Sequence, residues 1–543
     1  MPSIFGRTTL LALALATSAA GCTGIIDGGG QAAPGPEPAP EVAPVAAELC
    51  TETALIPARV RKLTDAQYQR MVGDLLPSVT PPVVATPGTE LALIEDLETF
   101  VVRGPLASQY WDAAFAAAAQ AVTAPTALAP CAEGRECAQQ FIESFARQAF
   151  RRPLQAEDTA ALLAVYDAGA ETSFVRGLEL VVAAALQSAD FLYRTELGAP
   201  DQAGPEVTLT PFEVASLLSF TLRGRGPDAE LYTAAESGAL ASAEGIATEL
   251  TRLLGLPEVQ QHVTGLFVEV LGADGARSSV RDPAAFPELD QPLRQAMDDE
   301  VRYLVNGNVF GQRPLGELFT TRESLVTDAL SQFYGAGYSG PPAVGPLPAD
   351  QRTGILSRGA TLLSLPTGSR VVHRGLFIAN RYLCRVMAPP PAGIQAEIEQ
   401  TLALGLTERE ISELRGSKPA CAGCHANFDS LGLAFEHYDL AGKYLSERDG
   451  APVDASGVLE QTDVDGPFGD LIELSELLAR SKDVAVCLPQ RVTERVLGLT
   501  LDEPEKCAVR RTIDGWADGD RQLGQLLELL PQSDFFLRRA KGN

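Results

Sequence analysis

The chain has 543 residues, of which 45% are apolar and 21% charged, an ordinary globular mixture long enough for about two to five domains. Lysine and arginine number 43 against 70 aspartates and glutamates, a formal charge of −27, whereas nucleic-acid binding calls for a basic face. One long apolar run occurs, at the N-terminus, so a multi-span membrane protein is excluded.

That run reads as a targeting segment. Arg7 supplies a positive start, residues 10–16 a short apolar stretch, and Ser18-Ala19-Ala20-Gly21 the small residues that precede Cys22. Residues 1–21 therefore read as a signal peptide of the bacterial lipoprotein type, with Cys22 as the lipidated N-terminus; ordinary signal cleavage is the alternative. The expected location is outside the cytoplasm, lipid-anchored to the cell envelope, at an outer membrane facing the periplasm or at the cell surface. Residues 22–49 hold Gly28-Gly29-Gly30 and prolines at 34, 36, 38, 40 and 44. This composition packs no core and reads as a tether.

Thr64 with Gln67 forms a capping box, and Leu63 with Tyr68 a hydrophobic staple, so a helix is predicted from residue 65. Apolar spacing near 3.6 predicts helices over residues 106–122, 137–151, 156–168, 173–198, 211–223, 242–272, 290–307, 373–386 and 470–500. The helix at 211 repeats the first start signal, Leu209-Thr210 ahead of Glu213, with Pro211 in its first turn. Strand-like alternation is scarce. Gly/Pro-rich breaks fall at Ser339-Gly340-Pro341-Pro342 and Pro389-Pro390-Pro391. An internal echo links Gln187-Ser188-Ala189-Asp190-Phe191-Leu192-Tyr193-Arg194 with Gln532-Ser533-Asp534-Phe535-Phe536-Leu537-Arg538-Arg539, which shared helix-end chemistry explains as well as duplication does.

Chemistry concentrates in Cys421-Ala422-Gly423-Cys424-His425. C-x-x-C-H is the attachment pattern of c-type haem: two thiols three positions apart form thioethers to the vinyl groups, and the next residue presents an imidazole to iron. Cys421 and Cys424 are thus the attachment candidates and His425 the proximal ligand, with Phe428, Leu431, Leu433 and Phe435 as candidate walls for an apolar ring. A disulfide, a zinc site and a thioredoxin-like pair are the competing readings. Zinc lacks a second ligand pair at suitable spacing, and no βαβ pattern surrounds the motif. For the opposite side of the iron, Met387 and His373 rank equally with an open position. His437 and His262 read as ordinary structural residues. Two strong ligands suit electron transfer, whereas an open position suits peroxide or oxygen chemistry.

Six other cysteines remain beyond Cys22 and the motif pair. Short-range pairing suggests Cys131 with Cys137 and Cys487 with Cys507, which leaves Cys50 with Cys384 by elimination. Asp454-Ala455-Ser456-Gly457 and Asp463-Val464-Asp465-Gly466 read as turns of a small hairpin, without the spacing of a calcium loop. The acidic groups Glu95/Asp96 and Asp298/Asp299/Glu300 show no pairing geometry, and no nucleophile elbow, zinc-protease or P-loop signature occurs.

These residues resemble the planctomycete-type cytochrome-like family of secreted multi-module proteins, built from successive domains of unknown function around a C-terminal C-x-x-C-H. Arg61-Lys62-Leu63-Thr64-Asp65-Ala66-Gln67-Tyr68 is similar to its first module. Ala149-Phe150-Arg151-Arg152-Pro153-Leu154 resembles the second, and Ala215-Ser216-Leu217-Leu218-Ser219-Phe220 with Pro227-Asp228 the third. Arg352-Thr353-Gly354-Ile355-Leu356 and His373-Arg374-Gly375 lead into the haem-motif module, which continues through Asp429, Gly432, Glu436, Asp439 and Gly442. Ser430 replaces an expected Pro, and Leu445 stands near where Arg is usual.

The helical spacing predicts a mainly α, multi-module helical body with little β, and the resemblance implies a C-terminal cytochrome c-like haem module. The expected modules are helical ones at 50–128, 129–200 and 205–338, a haem-motif module at 350–450 and a C-terminal helical module at 451–543. The leading expectation is a lipid-anchored monohaem protein with covalent haem c that exchanges electrons with a redox partner protein. A haem enzyme of peroxidase or oxidase type and a haem-free, disulfide-stapled envelope scaffold are the alternatives. No catalytic residue is named by the sequence.

Overall fold

Both start signals are realised as written. The Gln67 amide donates to Thr64 Oγ1 while the Thr64 amide donates back to Gln67 Oε1, opening the Asp65–Leu75 helix. Thr210 and Glu213 repeat the exchange at the start of Pro211–Leu222. Each box satisfies amides that the first helical turn leaves unpaired. The computed structural model describes residues 50, 54–85, 102, 104–368, 370–385, 387 and 405–541. The expected signal segment at 1–21, Cys22, the expected tether at 22–49, Glu95/Asp96 and Pro389-Pro390-Pro391 lie outside them.

The fold is mainly α, and the strands described pair two by two in short antiparallel ladders. Three long helices expected from periodicity are interrupted, each for a local reason. The 173–198 stretch ends its first helix at Leu186; Ser188 then caps Ala189–Leu192, and Tyr193–Glu196 is a strand. The 242–272 stretch divides into Ala243–Leu254 and Pro257–Val270, because Pro257 has no amide to continue the first helix and instead opens the second. The 470–500 stretch divides at Ser481, whose hydroxyl accepts from the Val484 amide and restarts the helix as Lys482–Leu497.

Apolar burial falls into two clusters. One runs from Leu63 to Leu192 with Phe220 added; the other runs from Leu209 to Phe536 with Ile56 added. Each cluster is closed by a strand pair joining its first and last segments. Arg59–Lys62 pairs with Tyr193–Glu196, and Glu206–Thr208 pairs with Arg538–Ala540. The internal echo explains itself here, since both copies are a serine-capped turn of helix delivering a closing strand. Equivalent backbone bonds follow, Leu63 N–H to Leu192 C=O at 2.8 Å and Leu209 N–H to Leu537 C=O at 3.1 Å.

The two closures are joined through Glu196. Its buried carboxylate accepts from Arg59 Nε at 3.1 Å in the first ladder and from Arg539 Nη2 at 2.7 Å in the second. Burial alone would raise this carboxyl, but Arg539, Arg59, Arg61 and Arg194 outweigh it and hold the group well below the usual carboxylate range.

Cys131 is bonded to Cys137, but the other short-range guess is corrected. Cys50 pairs with Cys507 and Cys384 with Cys487. Cys487 lies in the Lys482–Leu497 helix, which packs against Arg370–Tyr382 and so meets Cys384 just past that helix's end. Cys507 lies in the following Glu503–Thr512 helix, where the incoming N-terminal segment passes with the Ala54 amide on the Pro504 carbonyl.

Candidate functional site

The segment that follows the C-x-x-C-H motif is held by residues far upstream in sequence. Helices Arg370–Tyr382 and Asp429–Leu433 cross at two glycines. A Cβ on Gly375 would overlap the Phe428 carbonyl, and one on Gly432 would overlap the Val371 carbonyl. Only hydrogen at both positions allows backbones this close. Arg374, 1% exposed, donates to the carbonyls of Phe435, Tyr438 and Asp439 at 2.7, 3.0 and 3.2 Å. Burial lowers its guanidinium to about 10, with Glu436 opposing the shift, so it stays a cation. Arg352, also fully buried, donates to the Gly442 carbonyl at 2.6 Å and lies 3.7 Å over the Tyr334 ring.

Polar side chains complete the frame. Asp439 accepts from the Ala441 and Lys443 amides at 2.8 Å each, shaping the turn in which Gly442 has φ 87°. Glu436 is ringed by Arg370, Arg374 and Arg448 at 3.7, 3.7 and 3.8 Å. Arg448 supplies a cation three residues past Leu445. Ser430, at the expected proline position, has a use of its own: its Oγ accepts from the Val458 amide at 2.6 Å and ties down the Gly457–Leu459 and Gly466–Phe468 hairpin.

On this frame sits the short helix Pro419–His425, with Pro419 in its first turn. Cys421 is half-buried and Cys424 exposed, about one turn apart on the same side. They are the free cysteines among the described residues, since the six others form disulfides. His425 packs its ring on Phe428 with centroids 5.0 Å apart. Its Nδ1 lies 2.9 Å from Asp429 Oδ1, one helical turn further on. Asp429 is 4% exposed, and its other oxygen is 3.6 Å from Arg415 Nη1 on the Glu408–Gly416 helix.

This donor set fits covalent haem. Two unpaired thiols share one helical face, the adjacent imidazole has Nδ1 engaged, and Nε2 is the nitrogen left for iron. No group of three or more metal-ligating side chains occurs among the described residues, so the motif has no partners here for a four-ligand zinc site. Phe428, Leu431, Leu433 and Phe435 are all buried in the protein's own core, and of these the Phe428 ring meets His425.

Other residues singled out from sequence separate cleanly. His373 lies on Arg370–Tyr382, about 200° round from Val371, which faces the Gly432 crossing. Its Nδ1 is buried without a hydrogen-bond partner. Met387 is half-buried against the larger core. His437 donates from Nδ1 to the Leu445 carbonyl, 2.8 Å away, and stacks on Tyr444. His262 is remote, beside Arg70 and Gly224; burial and Arg70 lower it to about 4. The acidic triplet is structural: Asp298 pairs with Arg277 and Arg302, Asp299 accepts from Gln295, and Glu300 pairs with Arg358, Tyr334 and Ser324.

Sequence reasoning quoted Asp429 without giving it a role, and it passed over Arg415. The available signal was Asp four residues after His, a spacing that brings two side chains together on one helical face.

Comparison with known families agrees with the geometry. Three profiles described as proteins of unknown function match in order: PSD5 (DUF1595) over residues 137–196, PSD4 (DUF1592) over 209–336 and PSCyt3 (DUF1588) over 352–448. No curated protein and no solved structure matches the chain. The last of the three profiles contains the C-x-x-C-H helix together with Arg352, Arg374, Gly375 and Asp429, whose contacts build the site. With three modules in series over more than half of its length, the chain belongs to the planctomycete-type cytochrome-like family of multi-module proteins.

Proposed function

We propose that this protein is a monohaem c-type electron-transfer protein of the bacterial cell envelope, anchored by lipid at Cys22. Haem held by Cys421, Cys424 and His425 would supply a one-electron couple. The observation that carries the reading is the pair of unpaired thiols on one turn of helix beside an imidazole with Nδ1 engaged. Around it the chain provides a rigid seat: Arg374 and Arg352 fix the backbone after the motif, and the glycine crossing locks it against Arg370–Tyr382. A fixed frame suits electron exchange, because little reorganises when the charge changes. Met387 or His373 completes the iron's coordination in this reading, and a redox partner protein receives or delivers the electron. The acidic surface, −27 overall, favours a partner with a basic face.

The test is expression of the full chain with its export signal in a host carrying haem-attachment machinery. Expected are a Soret band and a mass that retains haem after full reduction, both lost in the Cys421→Ser, Cys424→Ser double variant. A folded, exported protein with neither signal refutes the proposal.

A further inference from the structure

We infer that Asp429 is a positioning residue for the haem ligand: its carboxylate holds Nδ1 of His425, aims Nε2 at the iron and strengthens the imidazole as a donor. This rests on the haem reading above and deepens it.

The geometry carries the assignment. A separation of 2.9 Å between His425 Nδ1 and Asp429 Oδ1 is a hydrogen bond. An ionised carboxylate can only accept, so Nδ1 carries the proton and Nε2 carries the lone pair. The partner is unusual in its setting. Asp429 is 4% exposed, and Arg415 Nη1 lies 3.6 Å from its second oxygen. That oxygen is itself buried and accepts no hydrogen bond. Its charge is therefore shared between one guanidinium at ion-pair distance and one imidazole at hydrogen-bond distance. In a low-dielectric setting such a carboxylate pulls strongly on the Nδ1 proton and makes the ring more electron-rich. A more electron-rich ligand favours ferric over ferrous iron, so the protein is tuned toward a low midpoint potential. Asp429 is well seated for the task. It opens the Asp429–Leu433 helix, whose backbone is clamped at Gly432 against Val371, so the carboxylate cannot drift from the ring.

The experiment uses the full-length, haem-loaded chain and its Asp429→Asn and Arg415→Gln variants, read by redox titration and by the proton NMR shift of His425 Nδ1–H in the ferrous protein. Asparagine keeps the shape and an acceptor but removes the charge. Expected in D429N is about a tenfold rise in the reduced-to-oxidised ratio at a fixed solution potential, equivalent to about 59 mV upward for a one-electron couple. Its Nδ1 proton signal moves upfield as the pull of the carboxylate is lost. R415Q leaves the carboxylate charge to the imidazole alone, so its Nδ1 proton signal moves downfield; if D429N does not fold, this variant decides. Covalent haem with the potential and both Nδ1 signals unmoved overturns the role of Asp429 and leaves the haem reading intact. Absence of covalent haem from the unmodified chain overturns the haem reading itself.

Discussion

Replacing Glu196 by glutamine tests the closure of the whole body. The side chain is 3% exposed, and Oε2 accepts from Arg59 Nε at 3.1 Å and from Arg539 Nε and Nη2 at 2.9 and 2.7 Å. Arg61 adds an ion pair at 3.6 Å. Glutamine is nearly isosteric, so packing is kept while the charge is lost. What remains is a set of guanidiniums, Arg59, Arg61, Arg194 and Arg539, each at most 6% exposed, facing a neutral amide. Removing one partner of a buried ion pair typically costs about 3–5 kcal/mol, because the surviving charge cannot be rehydrated. The expected loss lies in that range, read as a lower urea midpoint at unchanged slope with the disulfides intact. Amide hydrogen exchange supplies the local readout: protection falls in Tyr193–Glu196 and Arg538–Ala540 together, because the one carboxylate serves both ladders. The pH dependence has a definite sign. With its folded-state pKa depressed, Glu196 contributes stability that is present above the unfolded value of about 4.3 and is lost as pH falls toward its folded value. The gap between native protein and E196Q therefore narrows below about pH 4. A loss under about 1 kcal/mol at neutral pH, the size of an exposed pair, refutes the reasoning.

Gly375→Ala drives a methyl group into the Phe428 carbonyl at the helix crossing, and overpacking of this kind costs about 1–3 kcal/mol; a denaturation midpoint equal to that of the native protein sinks the close-approach argument. His262 is held to about 4 by burial first and by Arg70 next. Its unfolded form binds protons more readily, so its contribution is full above about pH 6.5 and is lost as pH falls toward 4. His262→Gln should flatten that part of the stability profile, and an unchanged slope between pH 6.5 and 4 would count against the assignment.

Much of the helical body was legible in the chain because its signals are local. A capping box such as Thr64 with Gln67 acts within four residues, and the cysteine and histidine spacing at 421–425 is chemistry confined to two turns. The long-helix expectations break at Ser188, Pro257 and Ser481, where an equally local start signal opens a new helix: Pro257 lacks the amide that would continue the one before, and each serine hydroxyl accepts from the amide three residues on.

The pairings of distant segments were another matter. Cys50 meets Cys507 and Cys384 meets Cys487 because helices pack that way, and proximity in sequence was a poor guide to it. The echo at Leu192 and Leu537 was visible as letters, but its meaning as two closing strands needed their partners at residues 59–62 and 206–208. Likewise Arg352, Arg374 and Gly375 stood out as family tags, and only their contacts with Gly442, Phe435 and Phe428 show them as the frame of the haem-motif segment. The division has a physical cause. Helix starts, thiol spacing and charge are properties of neighbouring residues, while a buried ion cluster or a glycine crossing exists only once burial brings together groups hundreds of residues apart.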